Sequence, residues 1–118
     1  RAQRPIWPWK DAPGMLVEGF PAAQLKAWDL PNHSYNSASG DDRRQTQARR
    51  AQRRVILNSV LARTRFEVSP EHARLMTESA DALDAFIVAF AGRAAANRQL
   101  RFPKPSVWRI EGAIAVHD

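Results

Sequence analysis

The run Thr77-Glu78-Ser79-Ala80-Asp81-Ala82-Leu83-Asp84-Ala85-Phe86-Ile87-Val88-Ala89-Phe90-Ala91 decides how the rest of this chain is read. It is a strongly helical, Ala-rich apolar stretch, and it predicts a helix from about Ser79 to Asn97. At about 100° per residue, Leu83, Phe86, Ile87 and Phe90 collect on one side. Glu78, Asp81 and Asp84 fall within an arc of about 120° on the other. Two readings of the acids follow. Carboxylates in a first turn complement the helix dipole, with Ser79 or Thr77 as N-cap. Three carboxylates in line also offer oxygen ligands to a divalent cation such as Mg or Mn.

Working outward, Ser69-Pro70-Glu71 starts a preceding helix that reaches about Met76, with Ser as N-cap and Pro at the first helical position. Before it lies a long helix without Gly or Pro, capped by Asp41 or Asp42 and running to about Arg65. Asn32 to Gly40 is polar and turn-rich, a surface loop. Pro21 to Trp28 predicts a short helix that ends before Pro31. Met15 to Phe20, bounded by Gly14 and Pro21, reads as a buried strand. Residues 1–14 hold Pro5, Pro8 and Pro13 around Trp7 and Trp9, and form an extended lead-in packed down by its tryptophans. On the C-terminal side, Val107 to His117 alternates apolar and polar residues with a period of two, a strand with Gly112 as bulge or turn. Two strands make no stable sheet alone, so a second chain or a missing N-terminal segment is expected to complete it.

With 118 residues the chain holds at most one small domain. It has no cysteine, which excludes disulfides, thiolate metal sites and Cys nucleophiles and fits a reducing, cytoplasmic setting. No apolar run approaches the roughly 20 residues of a membrane span, and without an apolar segment near Arg1 no signal peptide is expected. The net charge of +6 rests on 15 Arg against 3 Lys. Arginine forks match phosphate oxygens, so this balance leans towards nucleic acid as a partner.

Arg43, Arg44, Arg49, Arg50, Arg53 and Arg54 fall within twelve residues that contain no acid. Ala48, Ala51 and Val55 share one stripe of that helix, and the arginines spread over the remainder. Ile56, Leu57, Val60 and Leu61 give it an apolar anchoring end. Such a cationic face attracts a phosphate backbone with salt-dependent affinity and no sequence readout. The alternative is a solvated face neutralised by acids of a neighbouring helix. His33, His72 and His117 are too scattered to read as ligands, and Ser34, Ser37 and Ser39 lack a nucleophile-elbow pattern.

The segment Glu78 to Leu83, opening a small-residue helix, resembles the last motif of RNase H-like nucleases, including RuvC-type resolvases. Together with Leu16-Val17-Glu18-Gly19-Phe20-Pro21-Ala22-Ala23 and Glu111-Gly112-Ala113-Ile114, it more closely resembles the proteins grouped as domain of unknown function 429. The resemblance implies an α/β fold in which residues 15–118 form the C-terminal half of an RNase H-like domain, few strands flanked by several helices. It implies two-metal phosphodiester hydrolysis, with Glu18, Glu78 and Asp81 as catalytic metal ligands and Asp84 as a further one. Glu78 stands where Asp is usual, and Ala113 where an aromatic is. The meander whose first strand supplies the central Asp has no counterpart before Met15. The expected function is therefore a fragment of a metal-dependent nuclease or other nucleic-acid-processing enzyme, inactive alone. The alternative is a non-catalytic nucleic-acid-binding or assembly module that uses the arginine helix, residues 41–65.

Overall fold

The computed structural model describes Trp7 and residues 18–97, 99–100 and 114–117. Their order is β1 (Glu18–Gly19), α1 (Pro21–Ala27), α2 (Arg43–Thr64), α3 (Pro70–Glu78), α4 (Ala80–Ala96) and β2 (Ile114–Ala115). All four predicted helices are present, and their ends follow from local chemistry. Pro21 opens α1. At its other end the amides of Asp29 and Leu30 turn back to the carbonyls of Lys26 and Leu25, with Asp29 left-handed at φ 59°. Such a closure usually takes glycine. Asp42, rather than Asp41, caps α2: its Oδ1 accepts the Gln45 amide at 2.8 Å, while Gln45 Oε1 accepts the Asp42 amide at 2.9 Å. Ser69 caps α3 and Ser79 caps α4.

The α/β expectation is overturned. The described residues are mostly helical, and strand is confined to two two-residue segments, Glu18 and Gly19 pairing in parallel with Ile114 and Ala115. They build no RNase H-like α/β half-domain. The rest of the predicted strands, residues 15–17 and 107–113, lies outside the described residues. The physical reason is in the core, which is made by helices packing on helices. Leu25 of α1, Trp28, Ile56, Leu57 and Val60 of α2, Met76 of α3, and Leu83, Ile87 and Phe90 of α4 form one buried cluster. The loop residue Tyr35 completes it. Two strands of this length make too small a sheet to form a layer of their own, and they lie instead against α4.

Helix α4 is the axis of this arrangement. It buries Leu83, Ile87, Phe90, Ala91 and Ala94, the spacing of one helix face. Phe90 meets Trp28 edge-on with ring centroids 5.4 Å apart, and meets Phe86 at 5.2 Å. Phe66 joins them at 5.7 Å from Phe90, with the Arg93 guanidinium 5.8 Å from its own ring. Strand β1 lies against the same helix: a Cβ added at Gly19 would stand 2.8 Å from Val88 Cγ1, so glycine is required by closeness. Gln24 ties β2's end to α1, its amide accepting from the His117 N–H at 2.7 Å and donating to the His117 carbonyl at 2.9 Å. Trp7 and Trp28 are buried, as core anchors should be. Trp9 and Trp108 lie outside the described residues.

Candidate nucleic-acid interface

Helix α2 presents its arginines in three distinct environments. Arg53 points inward and is 3% exposed, although it was expected on the binding face. Its Nε donates to the Thr77 carbonyl and its Nη1 to the Tyr35 carbonyl, both at 2.7 Å. Burial, followed by the charges of Arg50 and Arg49, pulls its pKa down. Two charge-assisted hydrogen bonds offset that cost, so Arg53 is a structural clip and not a ligand for solvent-borne phosphate. Meanwhile the stripe of Ala48, Ala51 and Val55 faces solvent, Val55 being 50% exposed. Composition alone suggests the reverse orientation. The apolar end, Ile56, Leu57 and Val60, fixes the rotation of the whole helix and carries Arg53 inside with it.

Arg49 and Arg50 form ion pairs. Arg49 Nε lies 2.8 Å from Asp41 Oδ2, and Arg50 Nη2 lies 2.7 Å from Glu78 Oε1. The Arg49 guanidinium holds the Asp41 carboxyl below its usual range, with the Ala38 amide helping. The Arg50–Glu78 pair is half exposed on both sides, a setting in which ion pairs contribute at most about 1 kcal/mol. Arg43, Arg44 and Arg54 are exposed and make no ion pair or side-chain hydrogen bond among the described residues. With Arg50, they span an arc of about 120° on the outer side of α2. Gln47, Arg50, Ala51 and Arg54 line a shallow depression of about 180 Å³ on this face.

The acids do not lie along one helix. Glu78 is the last residue of α3, and Ser79 is extended at φ −124° and ψ 116°. It serves as C-cap of one helix and N-cap of the next, so the helical phase breaks between Glu78 and Asp81. Asp81 sits exposed in the first turn of α4, where it complements the dipole. Asp84 is partly buried and accepts a hydrogen bond from the Tyr35 hydroxyl at 2.8 Å. Burial raises the Asp84 pKa, the bond from Tyr35 opposes that shift, and the charge of Asp81 adds to it. The Tyr35 phenol is pushed up in turn, first by burial and then by Asp84. Among the described residues no three His, Asp or Glu side chains assemble into a group able to hold a metal ion. Glu78 is thus paired with Arg50, and Asp84 with the Tyr35 hydroxyl. The backbone of Glu18, the strand acid of the two-metal expectation, belongs to β1, which packs on α4 at Val88, one turn from Asp84.

A family model described as "Protein of unknown function (DUF429)" matches residues 2–107. The chain belongs to this family. The match covers Glu18, the arginine helix and all three acids of the 78–84 segment, while the Glu111-Gly112-Ala113-Ile114 motif lies beyond it. No curated protein and no solved structure matches the chain. No helix among the described residues is long and apolar enough to cross a membrane. Membership of the DUF429 family fixes kinship and leaves the chemistry to the residues themselves. Tyr35, Asp41, His33 and Gln52 take part in the site through contacts that span the loop and α2, for which local spacing gives no signal, while Gln45 joins it through its capping box with Asp42.

Proposed function

We propose that this DUF429 chain is a nucleic-acid-binding module whose outer α2 face takes the phosphate backbone. One observation carries the reading: Arg43, Arg44 and Arg54 stand exposed on one arc with no ion pair among the described residues, while Arg49, Arg50 and Arg53 are held by protein groups. Each free guanidinium can fork onto phosphate oxygens and release condensed counterions. The test is fluorescence anisotropy with single-stranded DNA over a salt series. Replacing Arg43, Arg44 and Arg54 together by Ala is expected to lower the slope of log affinity against log salt by about 2, since each contact contributes about 0.7. An unchanged slope and affinity would refute the reading.

A second reading, metal-dependent phosphodiester cleavage, rests on the strand of Glu18 lying beside the helix of Asp81 and Asp84. In it Glu18, Asp81 and Asp84 would share a cation, and Glu78 would have no part because Arg50 occupies it. Calorimetric titration with Mn²⁺ tests it directly. Binding that disappears in Asp81→Asn is expected, and a wild-type chain that takes up no Mn²⁺ rules it out.

A further inference from the structure

Beside the arginine arc, a cleft of about 370 Å³ opens between α2 and the turn at residues 33–34. His33, Ser34, Gln45, Ala48, Arg49 and Gln52 line it. Its volume falls in the range of small-molecule sites, about 300–1,000 Å³. We infer that this cleft receives one base of a single-stranded nucleic acid whose backbone runs along Arg43, Arg44 and Arg54. The inference rests on the phosphate-binding reading above and names the form of nucleic acid that face would take.

Three features point to a base rather than to a second phosphate. First, the cleft is close to neutral. Arg49 is the cation that lines it, and its Nε and Nη2 are bonded to Asp41 at 2.8 and 3.3 Å. Second, its lining keeps mixed hydrogen-bonding capacity. Gln45 commits its Oε1 to the Asp42 amide and retains its NH₂ group. Gln52 commits its Nε2 to the His33 carbonyl and retains its oxygen. Arg49 retains Nη1. Donors and an acceptor around a small alanine floor suit the edge of a base, and His33 adds a ring against which a base can stack.

Third, the wall is built in advance. Ser34 is left-handed at φ 62°, an uncommon state for a non-glycine residue. The carbonyls on either side of it are held from α2, His33 by Gln52 and Tyr35 by Arg53. The Tyr35 side of the turn is held at the helix by a buried 2.7 Å bond and the His33 side by a longer, exposed one of 3.4 Å, which lowers the cost of ordering it on binding. Ala48 lies about 40° around α2 from Arg44, so a strand lying on the arginines can turn one base into the cleft. In a duplex that base edge is paired and out of reach.

The experiment compares a mixed-sequence single-stranded DNA octamer with an octamer of the same length carrying abasic sugars throughout, by anisotropy at one salt concentration. The base-bearing strand is expected to bind the wild-type chain about tenfold tighter, the scale of one stacked base. Ala48→Leu fills the cleft from an exposed helical position that leucine suits, and is expected to remove that preference while leaving abasic binding unchanged. Equal binding of both strands by the wild type overturns the cleft and leaves the phosphate reading standing. A tenfold preference that survives in Ala48→Leu overturns it as well, because the base is then read elsewhere. Failure to bind either strand overturns both readings.

Discussion

Arg53→Ala is expected to lower the free energy of unfolding by about 3 kcal/mol, measured by urea denaturation followed by circular dichroism. The loss comes from two places at once. The variant leaves the carbonyls of Thr77 and Tyr35 buried without their donors, and each such orphan costs about 1–3 kcal/mol. It also removes a tie between the loop at Tyr35 and the end of α3, leaving the Tyr35–Asp84 bond to α4 in place. Arg53→Lys should recover only part of the loss, because a single ammonium lacks the planar fork that reaches two carbonyls. Arg43→Ala, on the exposed arc of the same helix, should shift stability by less than about 0.5 kcal/mol. Equal effects at Arg53 and Arg43 would show that Arg53 is not a clip.

Leu83→Ala should cost about 3 kcal/mol by the same measurement, within the range of 2–5 kcal/mol typical of buried leucines. Leu83 is fully buried, in a cluster supplied by all four helices. The vacated space cannot close without moving α4, the helix around which the others pack. Leu75→Ala on α3 is the control, since Leu75 is 54% exposed and its truncation leaves no cavity. A similar loss at both positions would place the core elsewhere than on α4.

These two residues mark where sequence reading succeeds and where it stops. Leu83 was legible because its neighbours Phe86, Ile87 and Phe90 repeat at the helical period, and the period fixes the buried face of α4 by itself. The helix ends were legible for the same local reason. Asp42, Ser69, Ser79 and the prolines at positions 21 and 70 act within one turn of their own position. Arg53 was misread because charge marks a residue as exposed on average, while its burial is set by Ile56, Leu57 and Val60 further along the helix and by carbonyls 18 and 24 residues away. Glu78 was misread because a spacing of three implies one face only while the helix is continuous, and Ser79 breaks it.

The amino-acid sequence by itself determined four helices, their caps, the arginine excess and kinship with the DUF429 family, all carried by nearby residues or by ordered short motifs. Tertiary structure alone decided three things: that the core is helix on helix, which arginines remain open to a ligand, and that the turn at Ser34 stands against α2 to form a cleft. Each depends on groups tens of residues apart meeting in space, through packing and hydrogen bonds that no local period encodes.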